Sequence, residues 1–345
     1  MNRRSFLRNT AAATTLLHPL MADNYPQSKL GIATTSYLGV WRPKDTYEFL
    51  EHCHALGAAG IQAGVHGDIA GEATERAEIS RIRNRAEQLG MFVEAMVPMP
   101  RGNDTAAFEQ SLKDARDVGA IALRSACLGS RRYEAFATFE AWQQHVKEAH
   151  QSIAAALPLL DKYKIPLGLE NHKDWTADEM VSLMKKYSSE YFGVCLDFGN
   201  NISLLDDPMD VIEKLAPFTV TTHLKDMAVD TFGDGFLLSE VLLGDGYLDL
   251  PRAIRLVQQA RPKARLSLEM ISRDPLKVPC LTDKFWASFP DRSGLYLART
   301  VRFVNSHKSA KPLPRIAQLS HDEQLKIEDQ NVIDCLKYAR ENLGL

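Results

Sequence analysis

The sequence predicts a closed parallel barrel of eight β/α units, the (β/α)8 TIM barrel, folded as a single domain. Three observations carry this expectation. Eight short β-prone runs recur along the chain, and longer segments with helical periodicity lie between them. No Gly-x-Gly-x-x-Gly turn follows the first run, as the competing doubly wound nucleotide-binding sheet would require. At 345 residues the chain exceeds the roughly 250 that such a barrel commonly uses, leaving segments at both ends.

The first four runs are "KLGIATT" (29–35), "GIQAGV" (60–65), "MFVEAMV" (91–97) and "IALRSAC" (121–127). The last four are "IPLGLEN" (165–171), "FGVCLDF" (192–198), "VTTHLKD" (220–226) and "RLSLEM" (265–270). Intervening stretches such as "DTYEFLEHCHALGAA", "EATERAEISRIRNRAEQLG" and "DEMVSLMKKY" place apolar residues three and four apart with charges opposite, as amphipathic helices do. Two segments depart from the repeat. Residues 227–250, rich in Gly and Asp, read as a long loop at the C-terminal barrel face, where such loops shape substrate pockets. After residue 310, "KPLPRIAQLS" reads as a Pro-containing connector and "HDEQLKIEDQNVIDCLKYARENLGL" as a terminal amphipathic helix. The expected organisation is a signal segment over 1–22, the barrel over 27–310 and a helical extension over 311–345.

The opening "MNRRSFLRNTAAATTLLHPLMA" pairs Arg3 and Arg4 ahead of Ser5, Phe6 and Leu7, then runs into a mild Ala/Thr/Leu stretch with a small residue at Ala22. It resembles a twin-arginine export signal, which implies a periplasmic or secreted mature protein that crosses the membrane already folded. The apolar stretch is too short to span a bilayer as a helix, so no stable transmembrane span is expected in the mature protein. With 44 acidic and 41 basic side chains the formal charge is −3, and no polybasic field is available to hold nucleic acid. Five widely spaced cysteines without a C-x-x-C pair indicate neither a zinc ribbon nor a disulfide framework.

Chemistry in a parallel barrel sits at the carboxyl ends of the strands. In "GLENH" (168–172), Glu170 and His172 stand two positions apart, which on a strand directs both to one face. Glu170 ends the fifth strand, Asp197 the sixth in "CLDFGN", His223 lies in the seventh in "THLKD" and Glu269 ends the eighth in "SLEM". Consecutive strands thus supply three carboxylates and one imidazole. Such an oxygen-rich set with one nitrogen suits Mn²⁺, Mg²⁺, Co²⁺ or Zn²⁺. Three carboxylates held in one barrel mouth without a cation would cost on the order of several kcal/mol. The substrate-binding candidates at neighbouring positions are His172, Lys225, Asn200, Arg124 on the fourth strand, His66 after the second and Arg273 just past Glu269. Tyr37 and Trp41, after the first strand, are candidates for stacking on a sugar face.

The four motifs "GLENH", "CLDFGN", "THLKD" and "SLEM", in this order on the last four strands, resemble those of the xylose-isomerase-like TIM-barrel superfamily, in its sugar phosphate isomerase/epimerase branch. The resemblance covers roughly residues 29 to 310. It implies that Glu170, Asp197, His223 and Glu269 bind one divalent metal and that Glu170 and Glu269 form a proton-transferring pair. It implies a small-molecule sugar or keto-sugar substrate and a reaction through a metal-stabilised enediolate, with isomerisation or epimerisation as the expected outcome. Elimination or cleavage of a keto sugar by a lyase is the alternative. Asn200 stands where endonuclease IV carries a histidine of its three-metal cluster, which argues against a phosphodiesterase. Gln62 stands where relatives often carry an acidic residue, a departure that bears on the substrate contact made there. A non-catalytic carbohydrate-binding barrel fits less well, because binding alone does not call for two glutamates across a metal. The sequence is also compatible with a homo-oligomer.

Overall fold

The structure, a computed structural model, describes residues 25–65 and 76–345. The signal segment and His66 lie outside the described residues. Eight parallel strands close into a barrel in the order β1-β10-β7-β6-β5-β4-β3-β2. They are β1 Gly31–Ala33, β2 Gly60–Gly64, β3 Phe92–Met96, β4 Ala122–Ser125, β5 Leu167–Glu170, β6 Phe192–Asp197, β7 Thr219–Leu224 and β10 Arg265–Leu268. Seven of the eight expected runs therefore contain one barrel strand each, and the seventh run misses only Thr219 at the start of β7. The outer ring includes α1 Thr46–Ala55, α2 Arg76–Leu89, α3 Ala106–Asp117, α5 Phe139–Tyr163, α6 Ala177–Lys186, α7 Pro208–Leu215 and α8 Leu250–Ala260. A short helix, α4, spans Arg132–Ala135.

Local sequence sets these boundaries. Asp45 caps α1 by accepting from the Glu48 N–H, and Thr176 with Glu179 forms a reciprocal capping box that starts α6 immediately after the fifth strand's loop. The barrel strands are buried on both faces, and the apolar side chains of β5 and β6, Leu167, Leu169, Val194 and Leu196, are fully withdrawn from water. Fully burying one such side chain contributes roughly 1.5–3 kcal/mol.

The segment after β7 is not the loop expected from its Gly and Asp content. It is a β-hairpin, β8 Asp226–Phe232 and β9 Gly235–Val241, joined antiparallel by β11 Leu276–Val278. The glycines mark its turns. Asp226 organises the return loop by accepting the backbone N–H groups of Met227, Gly244, Gly246 and Leu248 at 2.9–3.2 Å. Gly246 must lack a side chain, because a Cβ there would stand 2.0 Å from Asp226 Oδ1.

Two further helices, α9 Asp283–Trp286 and α10 Gly294–Ser306, precede the terminal helix α11, His321–Leu343, which Ser320 and Glu323 open with a second capping box. Helix α11 folds back on the loop after β1. Glu328, itself buried, accepts the N–H groups of Val40 and Trp41, and Asp329 accepts from the Tyr37 hydroxyl. Tyr37 is buried with its edge against Trp41 and His52, so it serves this junction rather than a sugar face. Among the described residues no helix is long and apolar enough to cross a membrane.

Candidate active site

The barrel register brings the four strand-end candidates together. Asp197 on β6 stands directly beside His223 on β7, and Glu170 on β5 pairs in register with Cys195, two residues before Asp197. Glu269 follows β10 and is fixed by its N–H to the Leu224 carbonyl. All four side chains are buried. His223 Nδ1 lies 3.3 Å from Glu269 Oε1, 3.6 Å from Glu170 Oε1 and 3.7 Å from Asp197 Oδ2. No hydrogen-bond partner of that nitrogen is present among the described residues. Asp197, His223 and Glu269 offer ligand atoms within 4.8 Å of one another, as do Glu170, Cys195 and His223. Burial pushes the Cys195 thiol well up, which keeps it a thiol and leaves the three carboxylates and the imidazole as the donors that fit a hard divalent cation.

Each donor is aimed by a neighbour. Asp197 Oδ1 accepts the N–H groups of Gly199 and Asn200, both at 2.8 Å, which turns Oδ2 toward His223. Asn171, from "ENH", extends the β5–β6 ladder past the strand: its Oδ1 accepts from the Asp197 N–H and its Nδ2 donates to the Asp197 carbonyl. Gln62 has a role the sequence did not disclose. Its Oε1 lies 2.6 Å from His223 Nε2, while its Nε2 donates to Glu94 Oε2 at 3.0 Å and Thr221 Oγ1 at 3.3 Å. Because the amide is committed as a donor to Glu94, its oxygen accepts from Nε2–H, and Nδ1 is left for the cluster. Glu94, buried on β3, is also held by Thr221 and Ser267, and burial pushes its carboxyl up.

Cations surround this group. Arg124 donates through Nε (2.6 Å) and NH2 to Glu170 Oε2, and Lys225 forms an ion pair with Asp197 Oδ2 at 2.7 Å and donates to Glu269. Lys225 pairs with these carboxylates and not with its chain neighbour Asp226, whose oxygens are taken by the hairpin backbone. Arg273 clamps Glu240, a fully buried carboxylate on β9, so its guanidinium is already partnered. Asn200 donates to Glu170 Oε1 at 3.1 Å and accepts from Lys173, a buried residue that no motif in the sequence marks out. His172 follows the strand end, half-buried, with Nδ1 unpartnered among the described residues.

The electrostatics follow from this geometry. Burial alone would push His223 down, but the Glu269 and Glu170 carboxylates outweigh it and carry the imidazole up to about 10. Burial acts against ionised Glu269, yet His223 and Lys225 hold it well below the usual carboxylate range; Arg124 and His223 do the same for Glu170. Burial and the neighbouring Lys173 charge push His172 down to about 4, leaving it a neutral imidazole.

Residues 50–286 match the xylose isomerase-like TIM barrel family, and the chain belongs to it. It is 29% identical over 245 residues to the 3-oxo-isoapionate decarboxylase of Pectobacterium atrosepticum, an alignment covering 68% of this chain and 82% of that protein. Among solved structures it resembles a D-psicose 3-epimerase determined in the presence of D-fructose, with a TM-score of 0.57 and 16% identity over 91% of this chain and 99% of that one. It also resembles a xylose isomerase-like TIM barrel protein from Mycobacterium smegmatis in complex with magnesium, with a TM-score of 0.52 and 17% identity over 81% and 99% of the two chains. These two likenesses concern the fold.

Proposed function

We propose that the protein is a divalent-metal-dependent enzyme of keto-sugar metabolism that works by forming an enediolate. The observation that carries this reading is the orphaned, buried His223 Nδ1 facing three carboxylate oxygens at 3.3–3.7 Å, an arrangement that Glu170, Asp197, His223 and Glu269 would complete by holding a cation. A bound divalent cation supplies Lewis-acid stabilisation for negative charge developing on a substrate oxygen. The side chains supply the rest. Glu170 and Glu269 stand on strands either side of the pair β6 and β7 and move protons to and from carbon, while Lys225 and Arg124 hold them in place. Asn200 and His172 orient sugar hydroxyls. Proton return to the face opposite its removal gives epimerisation; transfer between adjacent carbons gives isomerisation.

A second reading, a lyase, is favoured by one specific feature. Both glutamates are already paired with cations, Glu170 with the half-buried Arg124 and Glu269 with the buried Lys225, which weakens them as bases for proton removal. Release of carbon dioxide from a 3-oxo sugar acid needs no such base, since the C–C bonding pair becomes the enolate pair and a proton is added afterwards. The sequence relative that decarboxylates 3-oxo-isoapionate supports this branch.

The deciding experiment incubates the Mn²⁺-loaded protein in D₂O with ketoses, aldoses, 3-keto glycosides and 3-oxo sugar acids, followed by NMR. Deuterium next to the carbonyl with the carbon skeleton intact assigns an isomerase or epimerase. Loss of carbon dioxide, water or an aglycone assigns a lyase, and no exchange with any substrate by a metal-loaded protein rejects both. Glu269→Gln is expected to keep ligand affinity and lose turnover; undiminished activity would remove Glu269 from proton transfer. We also infer export through the twin-arginine pathway, which rests on "RRSFL" at residues 3–7.

A further inference from the structure

We propose that Lys173 is the binding point for a carboxylate on the substrate, with Arg273 beside it, so that the enzyme takes an acidic keto sugar in preference to a neutral one. This deepens the reading above and rests on it. Lys173 is only 4% exposed, and its ammonium has one hydrogen-bond acceptor among the described residues, the neutral Asn200 Oδ1. None of the carboxylates of the described residues pairs with it, whereas Arg124 and Arg273 each have one and Lys225 has two. A buried ammonium with two donors free is costly unless something anionic meets it.

The position is within reach of the reacting group. Asn200 links Lys173 to the cluster, accepting from Lys173 and donating to Glu170 Oε1. Burial, and then the positive charges of Lys225 and Arg273, push the Lys173 ammonium down to about 8, so it stays mostly protonated at neutral pH while sharing one positive region with both. Arg273 keeps an open edge, with its side chain 31% exposed beside the buried Glu240.

Charge counting selects the ligand. Glu170, Asp197, Glu269 and Glu240 balance Arg124, Lys173, Lys225 and Arg273 at the barrel mouth. His172 is neutral. Of the other buried carboxyls, Asp174 accepts the Trp175 N–H and is pushed up to about 8 by burial, Glu94 is held by Gln62, Thr221 and Ser267, and Asp226 is turned into the hairpin loop. A divalent cation therefore leaves the mouth with an excess of two positive charges. A neutral sugar offsets one of these when its enolate forms. A sugar acid offsets both, whereas a phosphate dianion would overshoot to a net negative site.

The test uses unreactive probes on the full-length, Mn²⁺-loaded protein: gluconate, the neutral glucitol and glucitol 6-phosphate, with binding followed by calorimetry. Wild type is expected to bind gluconate about tenfold or more tightly than glucitol, as a charge-assisted bond supplies. Lys173→Met should remove that preference while leaving Mn²⁺ affinity unchanged, and Lys173→Arg should retain it. Lys173→Met is also expected to unfold at the same or a higher temperature, because it removes a buried charge lacking a carboxylate partner. Equal binding of gluconate and glucitol by wild type, or a gluconate preference that survives Lys173→Met, overturns the assignment. So does a drop in the unfolding temperature of the Met variant with no change in ligand preference, which would make Lys173 structural. Tightest binding of glucitol 6-phosphate replaces carboxylate by phosphate and also overturns it. Failure of wild type to bind Mn²⁺ at all counts against the metal-dependent reading and is scored by the metal titration before any sugar is added.

Discussion

Replacing Gln62 by Met perturbs the His223 ring without touching any proposed ligand. The Gln62 Oε1 to His223 Nε2 contact is 2.6 Å, and both residues are fully buried. Met has a similar length but offers no comparable acceptor, so Nε2–H would be left unpaired in a site that water does not reach. An orphaned buried donor costs about 1–3 kcal/mol. Glu94 also loses one of its three side-chain donors but keeps Thr221 and Ser267. With the acceptor gone, nothing favours the tautomer that frees Nδ1, and loss of such an outer partner typically lowers metal affinity by about 10–100-fold. That corresponds to about 1.4–2.8 kcal/mol, the same scale as the orphaned donor. Calorimetric titration of Gln62→Met with Mn²⁺, with folding checked by circular dichroism, measures it directly. A folded variant binding Mn²⁺ within twofold of wild type would refute the role given to Gln62.

Other expectations concern protons, the hairpin, the terminal helix and export. Because the carboxylates hold metal-free His223 at about 10, against about 6.5 for a free imidazole, the charged form is favoured and metal must displace its proton below pH 10. Metal affinity should then rise about tenfold per pH unit between pH 7 and 9, with about one proton released in calorimetry across buffers of different ionisation enthalpy; no proton release would contradict it. Asp226→Ala strips the acceptor from four backbone N–H groups and should destabilise the protein by about 2–4 kcal/mol in urea unfolding, a loss under 0.5 kcal/mol arguing that water replaces the carboxylate there. Glu328→Ala leaves the Val40 and Trp41 N–H groups unpaired and should cost about 1–3 kcal/mol, read in the same assay. Changing Arg3 and Arg4 together to Lys should hold the protein in the cytoplasm, as fractionation of expressing cells would show; unchanged export would remove the twin-arginine assignment.

The strands and the four strand-end groups were legible because both depend on local order. A β-prone run shows its own extent, and a closed parallel barrel carries the ends of consecutive strands to one rim whatever the intervening helices contain. Glu170, Asp197, His223 and Glu269 needed only that rule to meet. What could not be read is pairing across the barrel. Gln62 and His223 are 161 positions apart, Lys225 and Glu269 44, and Tyr37 and Asp329 292, and no periodicity encodes such contacts. Tyr37 and Trp41 were expected to face sugar because they follow a strand end, yet a helix from the far end of the chain covers Tyr37. The hairpin differs in another way: its glycines and aspartates read as loop composition, whereas Gly233 and Asp234 form the turn between two strands, the first of which is buried over its first four residues. Lys173 shows the deeper limit. Its type and place next to "ENH" resemble an ordinary surface lysine, and only its burial without a counter-ion makes it a candidate for binding. A charge's meaning depends on which opposite charges are already taken, and that inventory exists only in the folded chain.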